Sequence, residues 1–267
     1  MTRPAKAPKQ HQELGAASAE VLWHDIECGA YTADLPLWRR LVAAVRKRSG
    51  GDCDLLELGC GTGRVSLALA GDGCRVTAVD AEPGLIETVR RRAAERGLAV
   101  DARVADVRYL GMPDALFDLV LGPMQLAQLL GERGRRRMFL AIARCLRPHG
   151  QAAFALLDLD EEWQAEAAEA PLPDMLETEG WIYASQPVAV RRSENGSRLE
   201  LDRVRRVVSP NGELSESFSR ISLDMVSPAG LEQEARRAGL EVGRRWHVPA
   251  TAEHVASTVV TFGKRDG

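Results

Sequence analysis

The sequence predicts an α/β fold, a parallel sheet with helices on both faces, carrying an antiparallel insertion late in the chain. Three observations support this. Between Leu55 and Leu157, short apolar runs alternate with longer runs of helical periodicity five times, and repeated β/α units close as a parallel sheet covered on both sides. The first apolar run, Leu55–Leu58, breaks into Gly59-Cys60-Gly61-Thr62-Gly63, three glycines at alternate positions before the helix-like run Arg64–Ala70. Beyond residue 157, β-rich runs are joined at Asn195-Gly196 and Asn211-Gly212, and Asn-Gly between such runs is the strongest short hairpin signal.

With 267 residues, 45% hydrophobic and 27% charged, the chain can bury a full core as one large domain or a domain with an embellishment. A net charge of −3 gives no basic field to draw nucleic acid or an anionic membrane. The runs Arg90–Arg92 and Arg135–Arg137 fall in helix-like segments and read as solvated faces. Five cysteines (Cys28, Cys53, Cys60, Cys74 and Cys145) form no C-x-x-C pair and have no histidine cluster at ligand spacing. A zinc site or a disulfide framework is therefore disfavoured, and no metal is expected. With no signal-like region and no apolar stretch approaching ~18 residues, a cytoplasmic location is expected. Residues 1–18, opening MTRPAKAPKQHQ, read as a disordered tail, and residues 19–267 as a single domain with helices over 19–48 and a helical plus antiparallel insertion over 160–226.

In chain order, a helical segment near residues 17–30 contains His24. Tyr31-Thr32-Ala33-Asp34 then leads into a second helix with an apolar stripe of Leu37, Trp38, Leu41, Val42 and Val45. Asp34 or Leu35 is the expected cap region, and Pro36 sits where an early helical proline is tolerated. After the glycine turn, Arg75–Asp80 is a β run ending in an acid about twenty residues beyond the glycines, where a carboxylate can accept from both hydroxyls of a ribose. The plainer alternative for Asp80 is the N-cap of the helix that starts at Glu82-Pro83. That helix runs to Arg96 and stops at Gly97. A third β run over 99–104 ends in Ala105-Asp106-Val107. Phe117–Leu121 is the fourth and enters Gly122-Pro123-Met124-Gln125. One long helix to about Leu146 and a fifth strand, Gln151–Leu157, follow. Three β-rich runs over 181–192, 198–208 and 213–226 form a meander, Ser227-Pro228 opens a helix to Ala238, and Glu241–Trp246 and Val255–Phe262 are the last strands.

The form Glu57-x-Gly59-x-Gly61-x-Gly63, followed by Asp80, Asp106 and the strand FDLVLG in that order, resembles the class I S-adenosylmethionine (SAM)-dependent methyltransferases. The resemblance covers roughly residues 50–157 and 227–264. It implies a Rossmann-like seven-stranded methyltransferase sheet with helices on both faces and a three-stranded antiparallel insertion after strand five. It also implies a SAM site made by Tyr31, Glu57, Gly59, Cys60, Gly61, Gly63, Asp80, Ala81, Asp106, Val107, Gly122 and Met124, with S-adenosyl-L-homocysteine as product. In that family the glycine turn holds the methionine part of SAM, and the acid at the Asp106 position accepts from the adenine amine while the next N–H, that of Val107, meets a ring nitrogen. AYTADLPLW resembles the lid of bacterial small-molecule members, in which a tyrosine, here Tyr31, covers the cofactor.

The turn Gly122-Pro123-Met124-Gln125 lacks the Asn-Pro-Pro-aromatic sequence of base and amide N-methylation, the Pro-Cys of C5-cytosine methylation, and the paired glutamates of arginine methylation. No acid ends strand four, although Asp158 and Asp160 follow strand five. Elimination leaves metal-independent, in-line transfer to an oxygen or nitrogen of a small-molecule acceptor, with Tyr31, Met124 and Gln125 beside that acceptor. His24, His247 and His254 are candidate general bases, with His24 first because lid closure would bring it over the methyl. A catalytically silent SAM-binding scaffold and, less favoured, an NAD-dependent oxidoreductase remain open. The latter wants G-x-G-x-x-G spacing and gives Asp106 no role. The apolar alternation Leu199, Leu201, Val204, Val207 asks for cover, and a homodimer through the insertion is expected.

Overall fold

The structure, a computed structural model, describes residues 16–157, 172–251 and 254–264, with side chains from residue 19. The expected tail with His11, the acidic stretch from Asp160 to Ala170 and the acids Asp158 and Asp160 lie outside the described residues, save that residues 16–18 are helical.

The chain begins with α1 (Ala16–Cys28) and α2 (Leu35–Ser49) and then alternates through β1 (Asp54–Leu58), α3 (Arg64–Gly71), β2 (Arg75–Asp80), α4 (Pro83–Glu95) and β3 (Val100–Val104). After β4 (Phe117–Gly122) the expected single helix is two, α5 (Leu126–Leu129) and α6 (Gly131–Cys145), broken where Gly131 takes φ +67°. The fifth strand, β5 (Leu146–Leu157), starts five residues earlier than expected. The segment Arg147-Pro148-His149-Gly150, which reads as a helix stop, is instead the irregular entry to the strand, with His149 at φ +62° and Leu146 already paired to Phe117. Then come β6 (Asp174–Thr178), β7 (Trp181–Arg192), β8 (Arg198–Val208), β9 (Leu214–Asp224), α7 (Pro228–Arg237), β10 (Leu240–Val248) and β11 (Ser257–Lys264). The start of α7 follows the sequence closely: Ser227 Oγ accepts from the Gly230 N–H at 3.1 Å, with Pro228 at the first helical position.

The described residues separate into two compact units, residues 31–157 with 223–264, and residues 16–30 with 172–222. In the first, seven strands pair in the order β10-β11-β5-β4-β1-β2-β3. The five from β1 to β5 are parallel where they pair, and β10 and β11 are antiparallel. Period-two alternation sends successive residues to opposite faces. Leu56, Leu58, Val120 and Phe154 join Phe139, Ile142 and Leu231 in one buried cluster. Leu55, Leu119, Leu121 and Ala153 join Trp38, Leu41, Leu69 and Ile86 in the other. β1 is the origin from which the chain winds outward to β2 and β3 on one side and later to β4 and β5 on the other. The crevice at a reversal of this kind, outside the carboxyl ends of the strands, is where ligands bind in open α/β sheets.

The second unit holds α1 and an antiparallel sheet in the order β6-β7-β8-β9. The two Asn-Gly turns form with Gly196 at φ +66° and Gly212 at φ +81°. The expected three strands are four, because β6 precedes them. Its sequence, Asp-Met-Leu-Glu-Thr, is acidic and largely exposed, and it is joined to β7 by Glu179-Gly180, both at positive φ. The apolar face is partly covered from within: Trp23 and Ile26 of α1 cluster with Tyr183 and Val207. Glu27 accepts from Ser185 Oγ and Arg205 Nε, each at 2.7 Å.

Candidate active site

The crevice is lined by the turns that leave β1, β2, β3 and β4. All three glycines of the first turn have positive φ, +63° at Gly59, +55° at Gly61 and +90° at Gly63, a region costly for residues with a Cβ. A Cβ at Gly59 would also lie 2.9 Å from Leu126 Cδ1, on the helix after β4. Asp80 braces the turn: one carboxylate oxygen accepts from the Gly61 N–H at 2.9 Å and the other from the Glu82 N–H at 3.1 Å, across the exposed Ala81. Asp80 is not the N-cap of α4; Glu82 occupies that position. Each carboxylate oxygen can accept a second bond.

Beneath the turn, Glu57 is 2% exposed and accepts from Ser66 Oγ. Burial pushes its carboxyl up to about 8, against the pull of Ser66 and Arg64. Glu57 is thus a largely protonated acid below that pH. Burial and the acids Glu57 and Asp80 also push the Cys60 thiol up, so Cys60 stays neutral, and its backbone N–H donates to the Val79 carbonyl at 3.0 Å.

At the end of β3, Asp106 opens a short 3-10 turn, with Val107 buried inside it. Its carboxylate accepts from the Arg108 N–H at 2.8 Å and from the Arg108 guanidinium, with Nη2 at 2.6 Å. Those bonds hold the Asp106 carboxyl below its ordinary value.

Tyr31 is brought to the glycine turn by Arg64, the first residue of α3. Arg64 Nη1 donates to the Tyr31 carbonyl at 2.8 Å, and the guanidinium lies 5.0 Å from the Tyr31 ring centre. Arg64 also grips Asp34 in a buried fork at 2.6 and 2.8 Å, and Trp38 Nε1 donates to the same carboxylate at 2.8 Å. Asp34 stands at the N-cap position of α2, but its side chain makes no capping bond. The His254 ring packs on Tyr31 with centroids 4.6 Å apart, and burial raises the pKa of the Tyr31 hydroxyl.

At the end of β4, Gly122 is dictated by packing, since a Cβ there would come within 2.3 Å of the Phe154 ring. Its place in the sequence suggests ligand approach; the structure supplies a different reason for the glycine. Pro123 is buried and Met124 sits at φ +53°, unusual for an unbranched bulky side chain. Met124 and Gln125 are both half-buried. Gln128, on α5, was not singled out by sequence. It is buried, accepts from the Leu157 N–H at 2.8 Å and donates to the Asp224 carbonyl at 3.4 Å, both residues of its own unit.

The sequence candidates thus fall into groups. Glu57, Gly59, Cys60, Gly61, Gly63, Asp80, Ala81, Asp106, Val107, Gly122, Met124 and Gln125 all lie at the carboxyl ends of β1 to β4, and Tyr31 joins them through Arg64. Of the histidines, His254 stands beside Tyr31. His247, one residue beyond the expected strand Glu241–Trp246, is an exposed member of β10, paired with Thr258. His24 is on α1, in the other unit. Asp34, Arg64, Ser66 and Arg108 also build the site and were not predicted. Only the position of Arg64 straight after Gly63, and of Arg108 two residues from Asp106, offered a signal.

Residues 55–150 match the family model for a methyltransferase domain. Over those residues the chain is similar to methyltransferase domains. A ubiquinone biosynthesis O-methyltransferase of Methylocella silvestris is 39% identical over 90 residues, 34% of this chain and 35% of that protein. The aklanonic acid methyltransferase DauC of a Streptomyces is 38% identical over 92 residues, 33% of this chain and 40% of that one. The chain thus spans between a third and two fifths of the length of these curated relatives. The SAM-bound structure of CalS10, an amino pentose methyltransferase from Micromonospora echinaspora, superposes with a TM-score of 0.67 at 17% identity, covering 97% of this chain and 99% of that chain, a likeness of fold.

Proposed function

We propose that the protein transfers the methyl group of SAM to an oxygen or nitrogen of a small-molecule acceptor, without a metal, by in-line displacement. The observation that carries this reading is the Gly59–Gly63 turn at the switch point, braced by the Asp80 carboxylate on the Gly61 N–H. In this reading the turn and the start of α3 receive the methionine part of SAM, with Glu57 supporting the turn from below. Asp80, with Ala81 beside it, takes the ribose hydroxyls on its remaining lone pairs. Asp106 and the Val107 N–H read the adenine edge, Arg108 keeping Asp106 an acceptor. Tyr31, held by Arg64, covers the cofactor. The methyl then lies near Gly59 and Gly122, with Met124 as an apolar wall and Gln125 orienting the acceptor.

The sulfonium methyl is already activated, so the protein's main task is to hold acceptor and methyl in line at roughly 3–3.5 Å. A base adds to the rate when the acceptor must lose a proton. Of the three histidines, His254 is favoured, because it stacks on Tyr31 and its backbone N–H donates to Thr251 Oγ1 at 3.0 Å. The O-methyltransferases among the relatives and the amino pentose enzyme among the structures support a small-molecule acceptor. β4 ends in Gly122-Pro123 with no acid, which supports metal independence. The test is methyl transfer from labelled SAM to a panel of phenols and amino sugars in EDTA. Turnover that persists in chelator supports the proposal; turnover that vanishes and returns with Mg²⁺ contradicts it. We further propose a homodimer formed through the edge of the antiparallel sheet.

A further inference from the structure

We infer that Cys53 and Cys74 form a peroxide-sensitive dithiol whose oxidation closes a disulfide across the feet of β1 and β2. The inference stands apart from the proposed reaction, which uses neither thiol. The two cysteines immediately precede Asp54 and Arg75, the first register pair of these parallel strands, and the Arg75 N–H donates to the Cys53 carbonyl at 3.1 Å. Neighbouring strands lie ~4.8 Å apart, inside the Cα separation of ~4.4–6.8 Å that a disulfide spans. Both side chains belong to one buried cluster, 2% and 5% exposed.

A cation prepares one of the pair for reaction. Arg46 Nη2 lies 3.6 Å from Cys74 Sγ, and its Nη1 donates to the Asp72 carbonyl at 3.0 Å. Arg46 Nε is buried with no hydrogen-bond partner among the described residues, so the guanidinium is held at the sulfur without being fully neutralised by acceptors. The neighbouring Cys53 thiol and Arg46 draw the Cys74 thiol down, while Cys74 and burial push the Cys53 thiol up. The segment entering Cys74 (Gly71, Asp72, Gly73) is exposed and gives a small oxidant a way in.

The step balances with hydrogen peroxide as oxidant. The Cys74 thiolate attacks one peroxide oxygen, the O–O bond breaks, and the departing hydroxide takes a proton to become water, leaving Cys74 as a sulfenic acid. Cys53 then loses its proton and its sulfur attacks the Cys74 sulfur. The S–O bond breaks and a second water leaves. Two thiols lose two electrons in all, and one peroxide becomes two waters. The loop so closed, residues 53–74, contains β1, the glycine turn and α3, and cross-linking it restricts the unfolded chain.

The experiment treats the reduced, folded protein with hydrogen peroxide, blocks remaining thiols by alkylation, and maps peptides without reduction. The expected result is a Cys53–Cys74 linked peptide, lighter by two hydrogens and reversed by dithiothreitol, with the oxidised protein melting roughly 5–10 °C higher. In Cys53→Ser, Cys74 should stop at a sulfenic acid that dimedone traps, and Arg46→Met should slow cross-linking several-fold. The inference is overturned if Cys53 and Cys74 both stay alkylatable while Cys28 oxidises, or if the link forms only in denaturant. The wild-type map decides the matter even should a variant fail to fold.

Discussion

Glu57 carries a consequence of burial that pH exposes. Its carboxyl moves from an ordinary value of 4.5 to about 8, so between those values the folded chain keeps a proton that the unfolded chain releases. Stability from this group is complete below about pH 4.5 and is lost as pH rises through 8. Glu57→Gln keeps an acceptor for Ser66 Oγ and removes the titration. The melting temperature of the wild type, relative to this variant, should therefore fall between pH 5 and 8.5. Parallel curves over that range would contradict the assignment. A second prediction concerns proton removal. With His254 against Tyr31 and His247 exposed in β10, His254→Ala should lower kcat on a hydroxyl or ammonium acceptor by ~10²-fold or more while leaving SAM affinity nearly unchanged. His247→Ala and His24→Ala should change little. Equal kcat in all three variants would leave catalysis to positioning alone.

Elements with a physical signature of their own were legible. The Gly59–Gly63 turn was readable because positive φ admits few residues, and each glycine there has it. The Asn-Gly hairpins and the Ser227 cap were readable for similar local reasons. β6 was not, because an exposed edge strand needs no apolar alternation and Asp-Met-Leu-Glu-Thr shows none. The early start of β5 was hidden by Pro148 and Gly150, which also mark helix ends. Asp34 illustrates a further limit: a residue placed to cap α2 instead grips Arg64, thirty positions away in sequence. At the other side of the insertion, β9 is a sheet edge that presents Leu214 and Phe218, 58% and 81% exposed, with Glu216 and Arg220 between and beyond them. An edge of this length offers unpaired backbone groups to a second strand. Sedimentation equilibrium at tens of micromolar, roughly where a modest interface is populated, should show dimer, and Phe218→Lys should shift it to monomer. Monomer alone in the wild type would contradict edge pairing.

For the whole molecule, the strand order places the origin strand β1 between β2 and β4, so every turn that could touch a cofactor faces one edge of one sheet. That much followed from the order of β and α runs. The supporting contacts did not, because they join distant positions: Arg64 to Tyr31 and Asp34, and Gln128 to Leu157 and Asp224. The central claim is that this edge binds a nucleoside sulfonium through Asp80 and Asp106. The most direct test is calorimetric titration of the wild type and of Asp80→Ala with S-adenosyl-L-homocysteine and with NAD. The account predicts saturable binding of S-adenosyl-L-homocysteine, weakened at least tenfold by Asp80→Ala, and no binding of NAD. Binding of NAD without binding of S-adenosyl-L-homocysteine would contradict it.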